Sequence, residues 1–339
     1  MNTDGVITLA HGSGGVLSQE LVERVFVRHL SNDVLAGMED AALVSLGEHK
    51  GSIALTTDSF VVQPLFFPGG DIGKLSVCGT VNDLAMRGAR PLFLTTGYII
   101  EEGFAIADLE RIVASQGATA RAAGVRIVAG DTKVVERGSG DGVFINTAGL
   151  GLVAEGVNIS AANARPGDVV LLSGAVGDHG LAIMTRREGL QFSSPLASDC
   201  APLNDFVARM LETCPDIHVL RDPTRGGVAT ALNELAQRSR VGIEIDEARI
   251  PVHPPVAAAA ELLGLDPLYV ANEGKLIAIV PVECVEALLE VMRNHPYGAE
   301  AAAIGRVVAT NAGKVILRTT LGTRRLLDML SGEQLPRIC

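Results

Sequence analysis

The chain has 339 residues, of which 47% are hydrophobic, and its formal net charge is −11. This length predicts two domains with sizeable cores, and the acidic balance excludes nucleic acid or an anionic membrane as the main partner, because both bind clustered Lys and Arg. No apolar run is long enough to cross a bilayer, and the N-terminus lacks a signal-like apolar core. We therefore expect a cytoplasmic protein, and the charge still permits phosphate ligands held through metal ions and backbone amides.

Helix-like and strand-like patterns alternate along the whole chain, which is typical of an α/β protein with mixed sheets. In the first half, the spacing of apolar residues predicts helices over 17–30 and 107–123 and strands over 52–62, 125–129 and 143–153. In the second half, it predicts strands over 169–173, 241–245 and 276–280 and helices over 204–211, 228–237 and 285–292.

A polar, turn-rich stretch at residues 163–168 separates the two halves. We therefore predict an N-terminal domain over 1–160 and a C-terminal α/β domain over 161–329. The remaining segment, 330–339, contains Gly332 and Pro336, which disfavour regular structure. We predict that this segment is a flexible tail carrying Cys339.

A glycine-rich loop, His11-Gly12-Ser13-Gly14-Gly15, leads directly into the first predicted helix. Glycines let backbone N–H groups approach an anion, and the helix N-terminus favours negative charge. The loop is neither a Walker A motif nor a dinucleotide-binding fingerprint, because the residues that define those motifs are missing. It predicts an anion site only in combination with other features.

Four aspartates lie at the ends of short apolar runs, where we expect strands to stop, namely Asp40, Asp58, Asp83 and Asp131. Carboxylates in that position can converge on the ligand-binding edge of an α/β sheet. Because such a group repels itself without a cation, Mg²⁺ bridging the phosphates of a nucleotide is its natural partner. Each aspartate alone is better explained as a helix cap or turn residue, so the metal site depends on their shared placement.

Candidate acid-base residues come from both halves of the chain. Glu273 precedes an aliphatic strand, and Lys133 follows Asp131 in a glycine-rich turn. In a cleft between the halves, these two groups would shift each other's pKa and transfer protons. Arg225, in a Thr-Arg-Gly-Gly turn, is a candidate phosphate ligand, and His179 lies in a second glycine loop that faces a ligand in the same interpretation. The alternatives are a turn glutamate, a solvated lysine and a surface arginine.

The thiol of Cys339 stands at the end of the predicted tail. An extended tail would reach roughly 30 Å, which is enough to place the sulfur in another protein's active site and return it to its own. Chance is the alternative, since termini tolerate most residues. The other cysteines, Cys78, Cys200, Cys214 and Cys284, form no CxxC pair, so we expect no structural zinc site. The sparse, odd count of five cysteines in the chain is typical of a reducing compartment, and we expect these four to be small buried hydrophobic residues.

The motifs taken together resemble the HypE family of hydrogenase maturation proteins, within the aminoimidazole ribonucleotide synthetase (PurM-like) superfamily. The resemblance covers essentially the whole chain through residues 11–15, 57–59, 66–70, 72–74, 82–83, 130–133, 177–180, 222–227, 272–275 and 336–339. The glycine loops are shared across the superfamily, whereas the terminal Pro-Arg-Ile-Cys is far more specific to the HypE family.

The resemblance implies a two-domain PurM-like architecture that binds ATP and Mg²⁺ and forms a homodimer through the N-terminal halves. It implies that a HypF partner places a carbamoyl group on the terminal cysteine. It also implies that ATP-dependent dehydration converts this S-carbamoyl group to S-cyanate (thiocyanate). The cyano group would then pass to iron held by a HypC–HypD complex, for the active site of nickel–iron hydrogenase.

The resemblance also assigns roles to individual residues. It places the four aspartates near Mg²⁺ and the phosphates, and the loop at 11–15 near the nucleotide. The remaining nucleotide contacts that it implies are Lys74, Asn82, Thr132, Arg225 and Gly226. Dehydration needs a base for the N–H protons, for which Glu273 is the first choice and Lys133 the second, and Cys339 is the carrying thiol.

Two other functions are compatible with parts of this pattern. A selenophosphate synthetase or a thiamine-phosphate kinase of the same superfamily would share the aspartates and glycine loops. The synthetase would be expected to carry a reactive Cys or selenocysteine near the N-terminal loop, where this chain has Leu9-Ala10-His11-Gly12. The kinase would not need the terminal thiol. A non-enzymatic carrier would need Cys339 but not the acidic and basic residues. Nucleotide hydrolysis that depends on modified Cys339 separates the enzyme from the carrier.

Overall fold

Two mixed β-sheets covered by helices organise the chain in the computed structural model, which describes residues 15–21, 23, 39–45, 51–190, 196–330, 332, 335 and 337–339. Within this part of the chain, no helix combines the length and apolarity needed to cross a membrane.

The first sheet has the strand order β1-β2-β7-β5-β6, in which only the β5–β6 pair is parallel. Its strands are β1 (Ala42–Ser45), β2 (Ser52–Phe60), β5 (Ala89–Glu101), β6 (Arg126–Val135) and β7 (Val143–Val153), and a short hairpin is formed by β3 (Phe66–Phe67) and β4 (Gly70–Asp71). The helices of this half are α1 (Val16–Leu21), α2 (Ile72–Met86) and α3 (Ile106–Ala122). Helix α2 lies against β2, β5 and β7, and α3 packs on α2, so one face of the sheet is covered.

The second sheet has the order β14-β13-β10-β12-β8-β11-β9, in which only β10 and β13 are parallel. Its strands are β8 (Val169–Leu172), β9 (Val219–Arg221), β10 (Gly242–Asp246), β11 (Ile277–Val280), β12 (Ala302–Val308), β13 (Val315–Arg318) and β14 (Arg324–Leu327). Its helices are α4 (Asp178–Arg187), α5 (Asn204–Thr213), α6 (Gly227–Ser239), α7 (Pro254–Leu263) and α8 (Val285–Arg293). Side chains alternate across the sheet, so that Val170 and Leu172 pack with α6 while Leu171 packs with α5 and α8.

The two halves share a hydrophobic core. Phe60 and Ile72 of the first half pack in one buried cluster with Leu181 of α4 and Val256 of α7. The tail joins the same cluster through Leu335 and Ile338, which are 7% and 3% exposed. The described residues of the predicted flexible tail are therefore packed, because their apolar side chains fill the seam between the halves.

The cysteines differ from the prediction in one respect. Cys214, at the end of α5, forms a disulfide with Cys284, which immediately precedes α8. Cys78 and Cys200 are free and buried, as predicted. Sequence spacing could not reveal the pair, because the two cysteines are 70 residues apart.

We expect Cys284→Ser to lower the free energy of unfolding by about 4 kcal/mol in the absence of reductant, since the disulfide closes a long loop. Denaturant unfolding measures the difference. With dithiothreitol present, wild type and variant should unfold at the same denaturant concentration. An unchanged midpoint without reductant would show that the disulfide does not form in solution.

Candidate active site

A cavity of about 280 Å³ lies where the two halves meet, and we call it the acidic cavity. The residues that line it are Asp40, Thr56, Thr57, Asp58, Gly79, Asp83, Arg221, Asp222, Thr224, Arg225, Glu273 and Cys339. Five of these residues carry carboxylates and only two carry guanidinium groups, so a ligand here must bring or share positive charge.

Three aspartates form the acidic cluster of this cavity. Ligand oxygens of Asp40, Asp83 and Asp222 all lie within 4.8 Å of one another, and this is the one such group of His, Cys, Asp and Glu side chains among the described residues. Asp40 lies just before β1, Asp83 lies on α2, and Asp222 follows β9. Thr56 donates a hydrogen bond of 2.8 Å to Asp83 Oδ2, which orients that carboxylate.

The acidic cluster is electrostatically strained without a cation. Desolvation, followed by the negative charges of Asp222, Asp58 and Asp40, holds the pKa of Asp83 well above its usual range. Desolvation and Asp40 raise the pKa of Asp222 to about 7. Arg221 forms an ion pair with Asp40 and a second one, of 2.6 Å, with Glu234. One arginine shared with Glu234 does not neutralise three carboxylates, and hard oxygen ligands in this number fit Mg²⁺.

This strain predicts a pH dependence of stability in the metal-free protein. The pKa of Asp222 is about 7 in the folded state and near 3.8 otherwise, so the folded state binds more protons between these values. Its contribution to the free energy of unfolding is therefore present below about pH 4 and is lost as the pH rises through about 7. We expect Asp222→Asn to make this decline smaller in thermal unfolding experiments with EDTA, while Asp83, whose pKa is also raised, keeps part of it. A decline of equal size in the variant would contradict the assignment.

Glu273 enters the acidic cavity from the loop between α7 and β11. Its backbone N–H donates to Asp199 Oδ1 at 3.0 Å, and Lys275 donates to Asp199 Oδ2 at 3.2 Å. Asn272 accepts from the Gly177 N–H at 2.8 Å and donates to the Pro223 carbonyl at 2.9 Å, which ties three loops together. The Glu273 residue is 3% exposed, and desolvation, followed by nearby negative groups, holds the pKa of its carboxyl well above its usual range.

Arg225 supplies positive charge opposite Glu273. It precedes α6, where Gly226 has φ +80°, and a Cβ at Gly226 would lie 2.3 Å from Thr230 Oγ1. The tight turn therefore requires glycine at this position, and it points to a structural role for Gly226. Attraction to Cys339, and then to Asp58 and Glu273, raises the pKa of Arg225.

The thiol of Cys339 lines the same cavity as Glu273 and Arg225. Desolvation raises its pKa to about 12, even though Arg225 acts to lower it. Arg337, two residues before Cys339, forms an ion pair with Asp141. In this position the side chain is a neutral thiol rather than a thiolate.

The acidic cavity is not lined by Asp131, Thr132 or Lys133. The sequence led us to expect Asp131 beside the other aspartates and Lys133 as the second candidate base. Ser59, Asn146, Gly97 and Asp131 stand opposite one another across the first sheet, so their side chains share a face. Asp58 is one residue out of that row and faces α2 instead. Asp131 and Lys133 line a separate cavity on the uncovered face and form an ion pair of 2.6 Å.

Two predicted nucleotide contacts have other partners. Asn82 donates to the carbonyls of Ala201 at 3.1 Å and Glu273 at 3.3 Å, and accepts from the Leu203 N–H at 2.8 Å. This arrangement, the Asn82 clamp, joins α2 to the second half through both polar atoms of the side chain. Lys74 donates to the Gly69 carbonyl at 2.9 Å.

The glycine loop is described only in part. Gly15 has φ +85°, and a Cβ there would lie 2.2 Å from the Leu330 carbonyl oxygen. The loop therefore approaches the start of the tail. His11, Gly12, Ser13 and Gly14 lie outside the described residues.

Sequence reasoning missed Asp222 as a member of the acidic cluster, and Asp199 and Asn272 as supports of the Glu273 loop. Asp222 had one usable signal, because it follows the apolar strand β9 directly and precedes a turn with Pro223. Asp199 had none, because its role depends on a contact 74 residues along the chain.

Comparison with known proteins places this geometry among characterised relatives. Residues 38–153 match the family "AIR synthase related protein, N-terminal domain", and residues 165–318 match its C-terminal domain. The carbamoyl dehydratase HypE of Azotobacter vinelandii is 56% identical over 336 residues, covering 99% of this chain and 98% of that protein. A HypE structure in complex with ATP is 51% identical with a TM-score of 0.83 and covers 98% of this chain and 100% of that one. A chain from a HypE–HypF complex is 52% identical with a TM-score of 0.87 and covers 91% and 99%.

Proposed function

The chain belongs to the HypE family of carbamoyl dehydratases among the AIR synthase related proteins, and on this premise we propose that Cys339 carries the group that is dehydrated in the acidic cavity. The family activity is an ATP-dependent dehydration in hydrogenase maturation. One observation carries the proposal: the Cys339 thiol, the buried Glu273 and the acidic cluster line a single cavity.

The residues of the acidic cavity fit a nucleotide with its cation. Asp40, Asp83 and Asp222 would hold Mg²⁺, with Asp58 beside them, and the positive charge would relieve the repulsion that raises their pKa values. When bound, ATP supplies a phosphoryl group that makes the amide oxygen of the carbamoyl group a good leaving group. In the balanced reaction, S-carbamoyl cysteine and ATP give S-cyanato cysteine, ADP and phosphate.

Glu273 is our candidate for the base that removes the N–H protons. Its carboxylate is a stronger base than an exposed one, because desolvation raises its pKa. Lys133, the second candidate, lines the other cavity within the described chain. Arg225 is placed to offset negative charge that develops beside the sulfur and the departing oxygen.

Carrying the substrate on the chain itself makes the reaction intramolecular. The carbamoyl group enters the cavity already attached, so binding and orientation are not separate diffusive events. The docked thiol is neutral, so we infer that Cys339 receives its carbamoyl group outside the cavity, where the thiolate forms more readily.

The proposed partners are HypF as carbamoyl donor and a HypC–HypD complex as acceptor of the cyano group. A relative assembles with HypF, which supports the first. The cytoplasmic location predicted from the sequence belongs to the same proposal, because the acceptor iron is assembled with other maturation proteins.

A homodimer through the uncovered face of the first sheet completes the proposal. That side of the sheet exposes Leu55, Ile99 and Leu152, and β6 is an exposed edge strand. We expect Ile99→Asp to shift the protein toward monomer in light scattering after size exclusion. Leu321→Asp, at a position that is 90% exposed in the second half, is the control. An unchanged dimer in both variants would exclude this face.

The decisive experiment is the intact mass of the C-terminal peptide after incubation with HypF, carbamoyl phosphate, ATP and Mg²⁺. We expect one carbamoyl group on Cys339, followed by loss of one water only with hydrolysable ATP. Cys339→Ser should give neither product. An adduct that never loses water would support a non-enzymatic carrier instead. An unmodified Cys339 would support a small-molecule kinase or synthetase of the same superfamily.

A further inference from the structure

The terminal residues are held beside the chain segment that follows β2. The Val61 N–H donates to the Cys339 carbonyl oxygen at 3.0 Å, and the Gln63 N–H donates to the Arg337 carbonyl at 3.1 Å. Arg337 has φ +52°, in the left-handed region. The turn at this residue lets its carbonyl reach Gln63 while its side chain turns toward the Val61 carbonyl, to which Nε donates at 3.1 Å.

Arg187, at the end of α4, bridges the tail and this segment. Its Nη2 donates to the Arg337 carbonyl at 2.9 Å and to the Gln63 carbonyl at 2.6 Å, and its Nε also donates to Gln63 at 3.1 Å. A planar guanidinium can reach both carbonyls at once, which a lysine ammonium on a flexible stem does less well.

His179, at the start of α4, binds the next carbonyl of the tail. Its Nε2 donates to Ile338 O at 2.6 Å, so its Nδ1 accepts from the Ser198 hydroxyl at 2.7 Å. Desolvation lowers the pKa of His179, which keeps the ring neutral and this tautomer fixed. His179, from the second glycine loop of the sequence, therefore binds the protein's own tail.

Two further contacts make the binding specific to this tail sequence. Asp141, in the turn between β6 and β7, forms an ion pair with the Arg337 guanidinium. A Cβ at Gly180 would lie 3.1 Å from Leu335 Cδ1, so the absence of a side chain there makes room for the leucine. None of these groups lines the acidic cavity.

We propose that Arg187, His179 and Asp141 form a tail dock whose strength sets how long Cys339 stays in the acidic cavity. They are positioning residues, because they contact the tail backbone and Arg337 rather than the reacting atoms. The inference deepens the proposed function and rests on it for its kinetic consequence. The dock must be weak enough to release the thiol for loading and strong enough to return the loaded thiol to Glu273.

The first experiment measures docking without any catalytic step. The rate at which iodoacetamide alkylates Cys339, located by peptide mass, reports the undocked fraction. We expect Arg187→Gln and Asp141→Asn each to raise this rate about tenfold. Arg187→Lys should raise it less, because lysine keeps the positive charge but lacks the planar guanidinium that binds two carbonyls at once. Arg209→Gln, at an exposed surface ion pair of α5, is the matched control and should leave the rate unchanged.

The second experiment measures the consequence. With Cys339 already carbamoylated and ATP saturating, we expect dehydration in a single turnover to slow severalfold in Arg187→Gln and Asp141→Asn, with carbamoyl loading by HypF unchanged or faster. A merely structural role would instead slow loading and dehydration together and lower the melting temperature.

The outcomes separate the two proposals. Unchanged alkylation in both variants would overturn the dock. Faster alkylation with unchanged dehydration would overturn its role in positioning. If wild type shows no dehydration at all, the proposed function fails, while the alkylation rates still decide whether the dock exists.

Discussion

Glu273→Gln is expected to lower the single-turnover rate of dehydration by about 10²–10⁴, the usual contribution of a positioned base. The substitution keeps the shape of the side chain in a residue that is 3% exposed but removes the proton acceptor. Loading of Cys339 with the carbamoyl group should continue at the wild-type rate, because it occurs outside the cavity. The C-terminal peptide should therefore accumulate as the S-carbamoyl form, measured by mass against time.

The matched control is Glu261→Gln, at an exposed position of α7, which should dehydrate at the wild-type rate. Glu273→Gln should also melt no lower than wild type, because burial already disfavours the charged form of Glu273. A variant that dehydrates normally would transfer the role of base to another group, with Lys133→Met as the next substitution to make.

Asp83→Asn is expected to change stability and metal binding in opposite directions. Without Mg²⁺, we expect the free energy of unfolding to rise by on the order of 1 kcal/mol, because one unit of pKa shift corresponds to about 1.4 kcal/mol and the variant removes a carboxylate whose pKa is held well above its usual range. With MgATP, the stabilisation seen in wild type should largely disappear, since a ligand of the cation is lost. Thermal unfolding with and without MgATP measures both effects.

Asp108→Asn provides the comparison for Asp83→Asn, because Asp108 forms only an exposed ion pair with Arg111. We expect it to keep the stabilisation by MgATP. If Asp83→Asn were stabilised by MgATP as strongly as wild type, the acidic cluster would not be the cation site. A lower stability of the metal-free variant would mean that the hydrogen bond from Thr56 outweighs the repulsion.

Several strands and amphipathic helices of this protein could be predicted from its sequence, whereas the long strand β5 and the central helix were missed. The strand predicted at 143–153 has the same bounds in β7, and the helix predicted at 107–123 is shifted by one residue from α3. Helix α2 was not predicted, because nearly all of its residues are buried and it has no polar face to give a helical period. Gly73, Gly79 and Asn82 within it further obscure the pattern.

Among the functional residues, some could be selected from the sequence and others could not. Asp40, Asp58, Asp83 and Glu273 could be selected by type and neighbourhood, and all four line the acidic cavity. The prediction that Asp58 and Asp83 lie at strand ends was wrong, since Asp58 lies within β2 and Asp83 on α2. Asp131 could not be excluded, because the face to which a strand residue points depends on a register that involves β2, β5 and β7.

The Asn82 clamp has a mechanical consequence for the whole molecule. Asn82 and Asp83 are consecutive residues of α2. The Asn82 amide binds the backbone of Glu273, and the Asp83 carboxylate belongs to the acidic cluster, so both groups move together with the helix. Swinging the halves apart would break three hydrogen bonds at Asn82 before it separated the base from the metal ligands. The three hydrogen bonds of Asn82 reach backbone groups of the second half. A chimera that joins halves of two homologues should therefore keep this alignment through side-chain changes at Ala201 and Leu203. It should lose the alignment when the loop that carries them changes length.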